Sequence, residues 1–292
     1  MTHFIQTLIS GLSLGSIYAL IALGYTMVYG IAKMLNFAHG DIIMIGAYAG
    51  IVTVNQLGLP PIVAVIVSVV ICAGLGMLIE FLAYKPLRQA PPLSVLITAI
   101  GVSYLLQNLA LIIFGSQQKA YPSLIELSSF TIGGVTVDGI SVLTLLMTAL
   151  IMVVLSFFIN KTKLGKAMRA VSEDKNAASL MGISVNRTIT LTFAIGSALA
   201  AIAGVLLCSF NTSLMPTTGS MPGIKAFTAA VFGGIGSIPG AFLGGLLLGI
   251  IEALAKAYIS TTLANAIVFA VLIVVLLVKP AGLLGRYVPE KV

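Results

Sequence analysis

The chain has 292 residues, of which 59% are hydrophobic and only 8% are charged, and its formal net charge is +7. A soluble domain carries about 25% charged residues, so the composition excludes a water-soluble protein. Apolar runs such as "VLTLLMTALIMVVLSFFI" do not alternate in polarity, which argues against a β-barrel and predicts an all-α, polytopic helical membrane protein. The positive charge lies mainly in loops, which indicates cytoplasmic segments rather than nucleic-acid binding.

The apolar runs predict eight to nine transmembrane helices in a single transmembrane domain, 1–292, because a helix needs about 20 apolar residues to cross the hydrocarbon core. The predicted spans are 5–31, 37–56, 61–83, 93–114, 140–159, 188–210, 240–258 and 261–278, with a shorter helical piece at 223–236. Four GxxxG spacings that lie within predicted spans predict close helix packing within one subunit, with contacts between subunits as the alternative. They lie at Gly11–Gly15, Gly46–Gly50, Gly240–Gly244 and Gly245–Gly249.

Lysine and arginine in the short loops predict the orientation. The 160–187 loop carries six of them and the 84–92 turn carries Lys85 and Arg88, so both are expected in the cytoplasm. The 115–139 loop has Lys119 against two carboxylates, Glu126 and Asp138, and is expected outside. The N-terminus then lies outside and Lys33 inside. The basic C-terminal tail, with Lys279, Arg286 and Lys291, falls inside only if 223–236 also crosses, which favours nine crossings.

The first polar break in the apolar pattern is "AKMLNFAHGD", 32–41, which joins the first two spans with almost no loop. Asn36 is predicted to N-cap the second helix. His39 and Asp41 then fall in the first turns of that helix, where a carboxylate suits the positive helix end. One interpretation is a structural Lys33–Asp41 interaction; the other is a polar wall of a translocation path.

A second irregular segment, "SLMPTTGSMPGIKAFTAAVFGGIGSIPG" at 213–240, has three prolines, six glycines and a lone Lys225. Irregular backbone at membrane depth is tolerated only when it is buried in protein or lines a cavity. The alternative is an external turn followed by a tightly packed helix. The candidate path residues are therefore Asn36, His39, Asp41 and Lys225. Glu80 and Lys256 lie near span ends and are interpreted as structural groups that reach the interface.

Several motifs of nucleotide-binding, catalytic and metal-binding sites are missing from the sequence. It contains no G-x-x-x-x-G-K-[ST] and no His-Glu-x-x-His. With only two histidines, it offers no plausible metal cluster. We therefore expect neither a catalyst, a resident cofactor nor a metal in this chain.

The most polar segment is "MRAVSEDKNAASLMGISVNR", 168–187. Ser172 is predicted to N-cap a helix near 173–181, with acidic residues Glu173 and Asp174 in its first turn and Gly182 ending it in a left-handed conformation. Ala177, Leu180 and Met181 then form a small apolar face. An isolated helix of nine residues is marginal in water, so it needs a surface on which to dock. That surface is either the chain's own spans or a separate cytoplasmic protein.

The stretch "NAASLMG", 176–182, resembles the Glu-Ala-Ala-x-x-x-Gly loop of ABC importer permeases. Ala177, Ala178 and Gly182 match, and Asn176 replaces the glutamate. Four longer stretches make the whole chain similar to the shorter permease of branched-chain amino acid importers, the LivH family. They are "LNFAHGDIIMIGAY" at 35–48, "RAVSEDKNAASLMGI" at 169–183, "AAVFGGIGSIPGAFLGG" at 229–245 and "KPAGLLG" at 279–285.

This resemblance implies a type II ABC importer permease-like fold in a bacterial inner (cytoplasmic) membrane. It implies a second homologous permease, two cytoplasmic ATPases that hydrolyse the ATP, and an extracytoplasmic amino-acid-binding protein that delivers leucine, isoleucine or valine. The 160–187 loop would couple the chain to the ATPases, through Glu173, Asp174, Asn176, Ala177, Ala178 and Gly182. Related permeases also carry urea, amides or other amino acids.

Two other functions are compatible with the composition. A proton-coupled secondary transporter of small polar solutes would use His39, Asp41 and Glu252 as a relay, and a channel would conduct ions or small solutes. Neither needs a docking helix on the cytoplasmic side, and a proton relay needs more intramembrane carboxylates than this chain supplies. The polar helix at 173–181 therefore favours the ABC permease.

Overall fold

The protein is described by a computed structural model that covers residues 2–122, 127–132 and 135–285. Within these residues the chain is mainly helical. The helices are α1 (Thr2–Ala32), α2 (His39–Asn55), α3 (Pro61–Ile79) with a π-helical turn (Glu80–Tyr84), α4 (Pro92–Phe114), α5 (Gly139–Lys161), α6 (Lys163–Glu173), α7 (Lys175–Leu180), α8 (Val185–Asn211), α9 (Ser220–Gly233), α10 (Ile238–Tyr258) and α11 (Ala264–Val278). Four short strands are β1 (Lys119–Ala120), β2 (Phe130–Ile132), β3 (Val135–Val137) and β4 (Ser213–Leu214).

The helix boundaries follow local sequence signals. Pro61 and Pro92 each occupy the first position of a helix, where the missing N–H costs nothing. Ser237 caps α10 by accepting from the backbone N–H of Gly240 at 3.2 Å. Gly115, with φ of +82°, ends α4 in a conformation that favours glycine. The predicted fold class, an all-α polytopic membrane protein, is confirmed.

The strands show which helix ends share a side. β1 follows α4 and β4 follows α8, and the two pair antiparallel, so α4 and α8 end on the same side. β2 and β3 form an antiparallel pair just before α5 begins. The short helices α6 and α7 lie between the end of α5 and the start of α8, at the opposite ends of these helices. The chain therefore has a strand-bearing face and a face that carries the charged loop.

Burial separates core helices from lipid-facing ones. In the most apolar part of α1 72% of residues are buried, whereas the corresponding share is 17% in α4 and in α5. Large apolar side chains point outward from the second group, among them Ile112, Leu146 and Phe157. The core is thus built around α1, which packs against α10, α8, α5 and α9.

Glycines let α1 and α10 approach backbone to backbone. A Cβ added at Gly15 would lie 2.8 Å from the carbonyl oxygen of Leu246, and one at Gly249 would overlap the backbone of Gly15. Such contact is the way helices gain packing in lipid, where no hydrophobic effect drives them together. These two glycines, which belong to GxxxG spacings, are used inside one subunit.

We expect Gly249→Leu to abolish the folded protein. A leucine there would have to displace the backbone of Gly15, and overpacking of this kind costs about 1–3 kcal/mol or more. The matched control is Gly101→Leu on exposed α4, where an added Cβ meets nothing within 4 Å. Monodispersity and yield in detergent would check this. Normal recovery of the Gly249 variant would contradict the described α1–α10 contact.

The helix α9 has 14 residues and is about 21 Å long at 1.5 Å per residue, less than the ~30 Å hydrocarbon core. It starts beside α2, where an added Cβ at Gly223 would lie 2.8 Å from the Cα of Gly40. It ends where Leu283 and Leu284 donate backbone hydrogen bonds to Phe232 and Gly233. It therefore starts within the helix bundle and ends against the segment that follows α11.

Six helices of the described segments are long and apolar enough to cross a membrane, namely α1, α3 with its π-helical turn, α4, α5, α8 and α10. Helices α2, α9 and α11 have 17, 14 and 15 residues. The predicted count of eight to nine helices is therefore approximate, because it counts three elements that are shorter than a full span. Glu126, Arg286 and Lys291, which the orientation prediction used, lie outside the described residues.

Candidate functional site

The charged loop folds as two helices, so the prediction of one helix at 173–181 with Ser172 as its N-cap is wrong. The Thr162 side chain accepts from the backbone N–H of Gly165 at 3.0 Å and starts α6 ten residues earlier than Ser172. Ser172 therefore lies inside a helix, where its hydroxyl donates to the carbonyl of Arg169 at 2.7 Å. Glu173 is the last residue of α6, not the first turn of the following helix.

Asp174 is the residue that breaks the chain into two helices and caps the second. Its backbone is extended, and its carboxylate accepts from the N–H groups of Asn176 at 2.7 Å and Ala177 at 3.0 Å. Gly182, with φ of +81°, ends α7 as predicted. The N–H of Ile183 donates to the carbonyl of Ala178 at 3.0 Å, which closes a Schellman motif. Helix α7 is thus fixed at both ends despite having six residues.

The side chains of α7 divide into an inner and an outer face. Ala178 is buried, whereas Leu180 is 89% and Met181 82% exposed, and Ala177 is exposed as well. The predicted apolar face therefore exists and is not covered by the chain's own spans. Beside it lies a groove of about 400 Å³, lined by Lys175, Asn176, Ser179, Ile183, Ser184, Val185 and Asn186. We call Ala177, Leu180 and Met181 the outer face of α7.

Lys175 ties α7 to the end of α1. Its ammonium donates to the backbone carbonyl of Ala32 at 3.2 Å, and Ala32 is the last residue of α1. Burial lowers the pKa of Lys175, and the positive charges of Arg88 and Lys33 lower it further. The contact therefore places a cation at the negative end of a helix, where the macrodipole favours it.

Asn36 does not cap α2, contrary to the prediction. The residue before α2 is Ala38, and no side chain caps this helix. The Asn36 side chain instead accepts from the Tyr84 hydroxyl at 3.0 Å, a contact with the π-helical turn that sequence spacing could not show. His39 lies inside the bundle, with its ring 4.6 Å from that of Tyr25 between centroids.

Asp41 joins α2 to α4. Its carboxylate accepts from the hydroxyl of Ser103 and from the amide of Gln107 at 2.9 Å, and Gln107 also donates to Ser220 of α9 at 3.2 Å. Of the two interpretations of this stretch, the Lys33–Asp41 interaction is therefore wrong: Asp41 is buried and held by α4, whereas Lys33 is exposed. Asp41 and Gln107 together connect three helices, because Gln107 bonds both Asp41 of α2 and Ser220 of α9.

Lys225 belongs to a second cluster, between α1, α9 and α10. Its ammonium lies 2.7 Å from Glu252, which also accepts from Lys256 at 2.6 Å and from the Tyr18 hydroxyl at 2.9 Å. Lys225 and Glu252 are both buried. The four candidate path residues thus fall into two polar clusters: Asn36, His39 and Asp41 at the start of α2, and Lys225 with Glu252 between α9 and α10. The groups of the proposed proton relay are divided between the same two clusters.

The sequence interpretation missed several interior polar contacts. Glu80, interpreted as reaching the interface, is fully buried and accepts from Arg88 and from the Thr190 hydroxyl, since the π-helical turn directs it into the protein. Ser103 and Gln107 were not singled out. Their spacing of four residues within one apolar span was the signal that could have found them, because it places both on one helix face.

Comparison with known proteins places these features in a wider context. The sequence family described as "Branched-chain amino acid transport system / permease component" matches residues 7–276. The chain is 45% identical to the "High-affinity branched-chain amino acid transport system permease protein BraD" of Pseudomonas aeruginosa and 46% identical to the protein LivH of the same description from Escherichia coli K12. Each alignment covers 99% of this chain and 98% of the relative. A "Probable branched-chain amino acid transport permease protein LivH" of Methanocaldococcus jannaschii is 31% identical over 80% of this chain and 75% of the relative.

Proposed function

Because this chain belongs to the family of branched-chain amino acid transport permeases, we propose that it is one transmembrane subunit of an ATP-driven importer of leucine, isoleucine and valine. The resemblance found in the sequence is thereby confirmed at the level of the family. The family is a component of membrane transport, not a class of enzymes. The six long apolar helices of the described part of the chain make it a multi-pass membrane protein.

The observation that best supports ATP coupling is the outer face of α7. Leu180 and Met181 are large apolar side chains within the charged 160–187 loop, and both are more than four-fifths exposed. A capped helix that presents two such anchors fits the groove of a protein partner, where a few apolar residues carry most of the binding energy. We assign this face to a cytoplasmic ATPase, with Glu173, Asp174 and Asn176 at its polar rim.

The remaining partners follow from the same family membership. We propose that a second, related permease completes the transmembrane pair, that two ATPases bind from the cytoplasm, and that an extracytoplasmic protein delivers the amino acid. The membrane is then the bacterial cytoplasmic membrane, with the α6–α7 face inside. The short α9 and the clusters around Asp41 and Glu252 would border the path, since polar groups at membrane depth mark routes for polar cargo.

The test is transport by purified components. We expect proteoliposomes that hold this chain, its permease partner and both ATPases to accumulate leucine when the binding protein and ATP are supplied. Vesicles prepared in the same way without the ATPases are the matched control and should show no accumulation. Leucine accumulation by this chain alone, driven by a proton gradient, would contradict the proposal.

A further inference from the structure

A cavity opens on the face opposite α6 and α7. It lies between the first turns of α1, the end of α8 and the end of α10, and its volume is about 590 Å³. Small-molecule sites occupy about 300–1,000 Å³. Its lining residues are His3, Gln6, Thr7, Ser10, Leu14, Phe210, Ala253, Lys256 and Ala257. The cavity is therefore large enough for an amino acid, and it shares Lys256 with the cluster around Glu252.

The cavity lining contains both apolar and polar side chains. Leu14, Phe210, Ala253 and Ala257 provide apolar walls, and α1 supplies amide and hydroxyl groups through Gln6, Thr7 and Ser10. Lys256 is the one lysine among the lining residues, and its side chain is 43% exposed. An apolar wall beside a single cation suits a small aliphatic molecule that carries one carboxylate.

The charges around Lys256 do not balance. Lys256 shares Glu252 with Lys225, and the lysine on α9 is buried while the one on α10 reaches the cavity. In the described part of the chain this ion cluster holds two positive charges and one negative charge. A carboxylate bound at Lys256 would bring the cluster to neutrality.

We propose that this cavity is an entry site for the transported amino acid, whose carboxylate binds Lys256. The aliphatic side chain lies against Leu14 and Phe210, and the ammonium group faces the hydroxyl and amide groups of α1. The identity of the ligand rests on the function proposed above, whereas the requirement for a carboxylate and an apolar group rests on the cavity itself. Glu252, which pairs with both Lys256 and Lys225, connects this site to the short helix α9.

The experiment uses a cysteine as a reporter inside the cavity. Ser10→Cys places a thiol on an exposed lining position, and the native Cys72 and Cys208 are buried and should react slowly. In the complete complex, without the binding protein, we expect millimolar L-leucine to slow labelling by an impermeant thiol reagent about fivefold or more. L-leucinamide, which lacks the carboxylate, should not slow it. Labelling of this residue is read by mass spectrometry.

Two variants and one control locate the effect. In the Ser10→Cys background, Lys256→Gln should abolish protection by leucine, whereas Lys256→Arg should keep it, because arginine also binds carboxylate. Thr262→Cys lies beyond the end of α10, is exposed and does not line the cavity, so leucine should leave its labelling rate unchanged. Glu252 keeps Lys225 and Tyr18 as partners in both lysine variants, so folding is expected to survive.

The outcomes separate this site from the proposed function. Normal ATP-dependent leucine uptake without protection at residue 10 would overturn the entry site and leave the function intact. Protection that persists in the Lys256→Gln variant, or equal protection by leucinamide, would also overturn it. Protection that depends on Lys256 supports the site, even if uptake in the same preparation fails and the proposed function falls.

Discussion

Replacing Leu180 with aspartate is expected to detach the ATPases and stop uptake. Leu180 is 89% exposed on α7, so the change costs the isolated permease little. In the complex the side chain would be buried against the partner, and a carboxylate there would be desolvated without a counter-charge. Loss of an apolar anchor of this kind costs at least about 2 kcal/mol, which corresponds to about 30-fold weaker binding.

The measurement is pull-down of ATPase per folded permease, followed by ATP-dependent uptake. The matched control is Leu57→Asp, an equally simple leucine-to-aspartate change at an exposed position just after α2, away from α7. It should leave both readouts unchanged. Ala178→Asp distinguishes docking from folding, because Ala178 is buried in the chain itself and the change should lower yield. Normal ATPase recovery with Leu180→Asp would remove the docking assignment.

Replacing Glu252 with methionine is expected to destabilise the folded protein by about 3–5 kcal/mol, the typical cost of leaving a buried charge without its partner. Glu252 is fully buried and holds Lys225, Lys256 and the Tyr18 hydroxyl. Without it, Lys225 remains inside the bundle with no carboxylate beside it. Lys256, which is 43% exposed, can turn toward water and contributes little to the loss.

Thermal inactivation in detergent, followed by size-exclusion chromatography of the surviving fraction, measures this change. Lys225→Met should cost less, since Glu252 keeps Lys256 and Tyr18 as partners. The double variant Lys225→Met/Glu252→Met should recover much of the stability lost by Glu252→Met, because it removes both buried charges. A double variant less stable than Glu252→Met would show that the two residues are not coupled as a pair.

The parts of the fold that composition dictates were predictable. A run such as residues 140–159 has no charge and no alternation, so lipid leaves it no alternative to a helix. The short helices were harder to predict from the sequence. Whether α9 is a full span depends on where Gly219 and Gly40 meet, which is a contact between distant parts of the chain. The predicted helix at 173–181 was placed wrongly because Thr162 starts a helix upstream that runs to Glu173, and Asp174 then caps a second helix.

The candidate site was predictable only in part for the same reason. The exposed face of α7 follows from helical spacing, so Leu180 and Met181 were identified together. Partner choice is different: Asp41 could pair with Lys33 eight residues away or with Gln107 on another helix, and sequence contains no distance that decides between them. The structure decides it because α2 and α4 lie side by side.

The hydrogen bond from Lys175 to Ala32 has a mechanical consequence. It connects α7 to the end of an unbroken helix of 31 residues, about 46 Å long, whose first turns line the entry cavity. A helix resists compression along its axis, so an axial load at Ala32 shifts α1 as a rigid rod. The backbones of α1 and α10 are in close contact at Gly15 and Gly249, so α10 would move together with α1. A displacement at the Ala32 end of α1 would then shift the cavity wall at the other end of the same helix.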